Sequence, residues 1–187
     1  MREFDFELIF QLPNSSDDTQ NYIDRLFESG CDDATISTGK LGMISLSFSR
    51  VSSNASNAIQ SAIDDVQKAI PNVSLVEANP DIVTISDIST ILGHSRQYTR
   101  KLFDNSISIP RPIHIGNPSI WHLKEVLDWL NSSGKSPKKI NETLLEISST
   151  TREMNLKRYG VLWYIIIKQQ TKDSIYEKYN ISKSKEI

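Results

Sequence analysis

A chain of 187 residues with 38% hydrophobic and 24% charged side chains is long enough to bury one sizeable core or two modest ones, and its composition suits a globular protein. The longest apolar run, Val161 to Ile167, falls far short of the about 18 residues a membrane helix needs; a single cysteine, Cys31, excludes an internal disulfide and any multi-cysteine zinc site. The net charge of -2 conceals an asymmetry: residues 1–80 carry 5 basic and 12 acidic side chains, residues 81–140 carry 8 and 5, and residues 141–187 carry 8 and 6, so a polyanion is drawn to the second half and repelled by the first.

Met1-Arg2-Glu3-Phe4-Asp5-Phe6 has neither the basic start nor the apolar middle of a secretory signal, and a cytoplasmic protein is expected. Phe4, Phe6, Leu8, Phe10 and Leu12 alternate with polar Asp5, Glu7 and Gln11, which predicts a strand with one buried face. Pro13 to Asp18 predicts a loop, and Tyr22, Ile23, Leu26 and Phe27 a helical stripe that ends at Gly30. Ala34 to Ser37 and Met43 to Phe48 form a predicted hairpin around Gly39-Lys40-Leu41-Gly42. Ala55, Ala58, Ile59, Ala62, Ile63, Val66, Ala69 and Ile70 recur at steps of three and four, the signature of an amphipathic helix closed by Pro71; Val73 to Val76 predicts one more strand. The order strand, helix, strand, strand, helix, strand predicts an α+β fold over residues 1–79 that resembles the ferredoxin-like βαββαβ arrangement, two helices on one face of a four-stranded antiparallel sheet.

Asn79-Pro80-Asp81 predicts a boundary, with a second domain over residues 80–132. Ile85, Ile88, Ile91 and Leu92 supply the inner face of one short helix, which Ser86 is expected to cap and Gly93 to end. Ser95 is expected to cap a second helix at once, so the two must bend sharply against each other. That helix buries Thr99, Leu102 and Phe103 and presents Arg96, Gln97, Arg100 and Lys101. Ile113 and Ile115 alternate with His114 and are expected to pair with Ile120-Trp121 across a Gly116-Asn117 turn, giving a small hairpin. Leu123, Val126, Leu127 and Leu130 form a third helical stripe, and Asn131 to Pro137 a polar linker. Residues 133–187 are expected to be mainly helical and to offer a dimerisation element. Lys138 to Ser148 reads as helix; in Leu156 to Gln170 the β-branched residues favour strand while length and flanks favour a buried helix, and both readings stand.

Helix, turn, helix, Pro110-Arg111-Pro112, small hairpin, Trp121, then a helix ending Val126-Leu127-Asp128-Trp129-Leu130: in this order residues 82–130 resemble the phage excisionase and MerR-like winged helix-turn-helix regulators. The resemblance implies a sequence-specific transcriptional regulator that lays helix 95–103 in the major groove of double-stranded DNA and touches flanking DNA with the wing, 109–121. It further implies that Ser95, Arg96, Gln97, Tyr98, Arg100 and Lys101 face DNA and that Arg111, His114 and Asn117 serve the wing. The chemistry agrees, since Arg pairs with guanine and Gln with adenine through two bonds each, and a helix-start Ser helps hold a phosphate. Thr99 departs from the family's usual larger aliphatic residue, so looser packing of the second helix is expected. Two copies would double a modest contact set, which points to a homodimer.

No motif for catalysis stands out: there is no G-x-S-x-G elbow, Walker loop or zincin helix, and Leu12 to Asp18 is acidic where a phosphate-cradling loop would be basic. The spacings of His94, His114 and His122 match no usual metal-ligand pattern, and no metal or cofactor is expected. Trp121 and Trp129 read as core anchors, Cys31 as a small buried residue, and Gly30-Cys31-Asp32-Asp33-Ala34 as a helix end followed by a turn. Two alternatives remain beside the regulator. One is a protein-interaction adaptor of antitoxin or anti-defence type whose winged unit binds protein. The other is a ligand-binding ferredoxin-like sensor, the acidic first domain taking a protein or small-molecule partner.

Overall fold

Alternation in β1 (Arg2–Gln11) makes one face apolar, and burial follows it: Phe4, Phe6, Leu8 and Phe10 are inside while Asp5 and Gln11 are exposed. The computed structural model describes residues 1–37, 39–106, 108–135 and 140–160. Within them the fold is α+β. Strand β2 (Ala34–Ser37), β3 (Met43–Ser52), β1 and β4 (Ser74–Asn79) lie in the order β2-β3-β1-β4, every neighbour antiparallel. Helices α1 (Ile23–Glu28) and α2 (Ala55–Ala69) pack on each other, and α2 packs on β1 and β3. Asn54 caps α2 by accepting the Asn57 N–H at 2.8 Å. The side chains Ala55, Ala58, Ile59, Ala62, Val66 and Ala69 on its inner face are all buried.

The buried register of β3 runs Ile44, Leu46, Phe48 and then Arg50. A cation there needs every donor satisfied, and it has them. Nε and Nη2 of Arg50 donate to the Asp33 carboxylate at 2.7 and 2.9 Å, Nη1 donates to Asp65 at 2.8 Å and to the Ser61 hydroxyl at 3.0 Å, and Nη2 also reaches the Gly30 carbonyl at 2.8 Å. Burial opposes this charge, but the bonds to Asp33 and Asp65 outweigh it and hold the Arg50 pKa above the ordinary arginine value. The acidic turn after α1 is therefore half of a structural ion cluster. Cys31 beside it is 2% exposed, and burial pushes its thiol up to about 11.

After β4 the chain forms β5 (Ile82–Val83), α3 (Ile85–Leu92), α4 (Arg96–Asp104), β6 (Trp121–His122) and α5 (Leu123–Ser133); residues 142–152 form a further helix, α6. A second core joins them, built on Ile88, Phe103, Trp121, Leu123, Leu127 and Trp129. Phe103 meets both Trp121 and Trp129 edge to face, with ring centroids 5.4 and 5.3 Å apart. Met1–Arg152 cluster as one compact unit, and polar bonds tie its sheet to its helices. Asp81, wholly buried, meets His122 Nδ1 at 2.7 Å and accepts the Leu123 N–H at 2.7 Å through its carbonyl. On α6, Glu146 accepts the Ala55 N–H at 2.8 Å, Thr151 donates to the Pro80 carbonyl at 2.7 Å, and Arg152 donates to Glu125 at 2.6 Å.

Several local expectations are corrected. Thr84, not Ser86, caps α3, in a reciprocal box with Asp87, which places Ser86 inside the helix. Phe27 is 65% exposed and of the α1 stripe only Leu26 is buried, because a six-residue helix offers the sheet little more than one side chain. The last strand of the sheet is Ser74–Asn79, longer than the apolar run that marked it, because Glu77 and Asn79 pair through their backbones with Ile9 and Glu7. Trp121 pairs with Val83 rather than within the loop hairpin. The expected linker at Asn131 is still helix up to Ser133, and Gly134 ends it in the left-handed region at φ 63°.

A second unit begins at Glu153. Of this unit, residues 153–160 are helical, with Lys157 paired to Glu153 at 2.8 Å. The rest of the ambiguous Leu156 to Gln170 stretch, including the dimerisation candidate Val161 to Ile167, lies outside the described residues. No helix among the described residues is long and apolar enough to cross a membrane.

Candidate nucleic-acid interface

Gly93 is the hinge on which the site is built. At φ 66° and ψ 34° it closes α3 in a conformation that costs other residues energy, and its N–H returns to Thr90. Ser95 then opens α4, its hydroxyl accepting the Tyr98 N–H at 3.2 Å. The bend lays one face of α4 on α3. There Thr99 is wholly buried, and its hydroxyl lies 2.9 Å from that of Ser89, itself 4% exposed. Where the expectation was of looser packing at Thr99, the side chain is wholly buried and its hydroxyl meets that of Ser89. The Ile85 carbonyl, 2.6 Å from the Ser89 hydroxyl, and the Ser95 carbonyl, 3.3 Å from that of Thr99, are the other acceptors within reach, so neither buried hydroxyl lacks a partner.

With Thr99 and Phe103 inward, helical spacing turns the other side of α4 to solvent. Ser95, Arg96, Gln97, Tyr98, Arg100 and Lys101 are all exposed. Arg96, Arg100 and Lys101 form no ion pair among the described residues, so their charge is not spent internally. Tyr98 is 43% exposed and meets the His94 ring edge to face at 4.9 Å.

The loop after α4 comes back beside this face. Ile113 N–H donates to the Ile120 carbonyl at 2.9 Å and Ile120 N–H to the His114 carbonyl at 3.1 Å, which leaves a single β-bridge at His114 and Ile120. Trp121 Nε1 anchors the loop base on the Pro110 carbonyl at 3.1 Å. Arg111, His114 and Asn117 are exposed, and so are two apolar side chains, Ile113 at 46% and Ile115 at 84%.

Between α4 and this loop lies a cleft of about 490 Å³. Arg96 and Arg100 line it from α4, Asn117 and Ser119 from the loop, and Thr84 to Ser86 from the start of α3, with the nearly buried Phe103 and Trp121 also contributing. Of the nine residues picked from sequence, the structure gathers Arg96, Arg100 and Asn117 in this cleft; Ser95, Gln97, Tyr98, Lys101, Arg111 and His114 are exposed but do not line it. Sequence reasoning missed Asp104, which also lines the cleft. Its position four residues after Arg100 was the available signal. His122, grouped with the other histidines on sequence, is instead buried against Asp81. No cluster of three metal-ligating side chains occurs among the described residues.

This arrangement presents cations without an ion pair among the described residues, an amide and hydroxyls on an exposed helix face and along the cleft it shares with the loop. No family model, curated protein or solved structure matches the chain.

Proposed function

We propose that this chain is a sequence-specific DNA-binding protein, a bacterial or phage transcriptional regulator of winged helix-turn-helix type. In this reading α4 enters the major groove and residues 109–121 act as the wing. The observation that carries it is the exposed row of Arg96, Arg100 and Lys101 beside Gln97, without an ion pair among the described residues, on a helix whose opposite face is buried through Thr99 and Phe103. Arg and Gln there have the donors and acceptors that distinguish bases in the major groove, and loop residues line the same cleft as α4. The preceding sheet is read as a ferredoxin-like domain, which the β2-β3-β1-β4 order supports, and its acidic composition suits a partner or ligand other than DNA. A homodimer in the cytoplasm completes the proposal, since one module touches few bases and two read a longer site.

Selection of bound sites from a random duplex pool tests this reading. Enrichment of a common site supports the regulator, and a palindrome among the winners supports the dimer. A second reading, a protein-interaction adaptor, is favoured by the exposed Ile113 and Ile115 on the loop. Absence of any enriched site, with no duplex binding even at low salt, would favour the adaptor.

A further inference from the structure

Arg96, Arg100 and Asp104 are spaced by four along α4, so they form one stripe, and all three line the cleft. The stripe has a direction: two cations, then an anion. None of the three is ion-paired among the described residues, although Arg100 and Asp104 are one turn apart. A duplex backbone accounts for the arginines but is opposed by the Asp104 carboxylate. A smaller ligand accounts for both ends. The cleft volume, about 490 Å³, lies within the range of small-molecule sites, about 300–1,000 Å³. Phe103, Ile109 and Trp121 contribute apolar surface to its lining.

The geometry points to a binding site for a single nucleotide whose base carries an exocyclic amine. The phosphate lies between Arg96 and Arg100, the base sits over Phe103, Ile109 and Trp121, and the amine donates to Asp104. Two guanidiniums suit a phosphate in charge and hydrogen-bonding pattern. A carboxylate accepts from the amine of cytosine, adenine or guanine and finds no such donor on uracil or thymine. Asn117 and Ser119 line the same cleft and would meet ribose or base edges. The nucleotide has two possible sources, free in solution or turned out of a nucleic-acid strand. The proposal stands on the cleft and does not require that the chain read duplex DNA.

Calorimetric titration of the full chain with AMP, CMP, UMP and inorganic phosphate, without DNA present, tests the free form. AMP and CMP are expected to bind more tightly than UMP or phosphate. Arg96→Ala and Arg100→Ala should each weaken AMP on the order of tenfold, the value of one charge-assisted contact. Asp104→Ala should erase the preference over UMP. Ser119→Phe, which fills the cleft from the loop side, should abolish AMP binding; unchanged thermal melts of the arginine variants, whose side chains are exposed, guard against misfolding. The second arm compares a duplex carrying one unpaired adenine with its fully paired counterpart. Tighter binding of the former, lost in Asp104→Ala, identifies the strand as the source. The proposal is overturned if UMP or phosphate binds as well as AMP. It is equally overturned if Arg100→Ala and Ser119→Phe leave AMP binding intact, or if neither AMP nor the unpaired adenine is recognised.

Discussion

Replacing Arg50 by Met isolates the ion cluster under the sheet. Methionine keeps most of the length and the apolar stem but removes all five donors that reach Asp33, Asp65, Ser61 and Gly30. Breaking a fully buried pair costs about 3–5 kcal/mol. Here the Arg50 side chain is 10% exposed, but its partners Asp33 and Asp65 are 28% and 30% exposed, so water rehydrates part of what is abandoned. Loss of the cation over the Phe48 ring, 4.9 Å away, adds to the cost. The expected destabilisation is about 2–3 kcal/mol, which lowers the melting temperature of a chain this size by about 5–10 °C. Urea unfolding followed by far-UV circular dichroism measures it, with an unchanged m-value showing that the denatured state is not what moved. Neutralising both carboxylates in the R50M background should recover part of the loss, because two like charges no longer face each other unpaired. An unfolding midpoint for R50M within error of wild type would refute the reasoning, as the cluster would then be a surface pair.

Trp121→Ala removes a side chain packed on Phe103 and bonded to Pro110, and should cost about 3–5 kcal/mol in the same unfolding assay. Thr99→Val should cost less than about 1 kcal/mol, because Ser89 still has the Ile85 carbonyl as an acceptor. Cys31 supplies a pH dependence. Its thiol ionises near the ordinary value when unfolded but only at about 11 when folded, so the folded state holds a proton that the unfolded state has released. Stability should therefore fall as pH rises from about 9 to about 11, by on the order of 2–3 kcal/mol, and Cys31→Ala should lack this component when the two unfolding profiles are compared. Arg96→Ala and Arg100→Ala should leave the melting temperature unchanged within about 2 °C, since surface changes rarely exceed about 0.5 kcal/mol.

Long periodic stretches were legible because one physical rule governs each. The Phe4 to Phe10 alternation and the Ala55 to Ala69 repeat each need only a buried face, and both are buried as read. Gly93 and Ser95 were legible for a different reason: a left-handed turn and a helix cap have strong residue preferences. What escaped depends on contacts between distant segments. Arg50 sits at an apolar register position, and only the folded chain brings Asp33 and Asp65 to it. Strand β5 is two residues long, too short for any period, and exists because Trp121 and His122 lie opposite it. Thr84 and Ser86 are equally good caps on paper; the Asp87 carboxylate three residues after Thr84 decides between them. At the site, the exposed cations were readable from helical spacing, whereas the cleft required the loop's return from Ile113 to Ile120.

The central claim is that the outer face of α4 holds nucleic acid through its exposed cations, and the salt dependence of duplex binding tests it most directly. Each phosphate contact contributes about 0.9 to the slope of log K against log salt on B-form DNA. The account predicts steep weakening of duplex binding by the full chain between low and physiological salt, with a slope smaller by about 1 when an α4 cation that meets a phosphate, such as Lys101, is changed to Ala. Binding that is absent at every salt concentration, or a slope that the Arg96, Arg100 and Lys101 variants leave untouched, would contradict it.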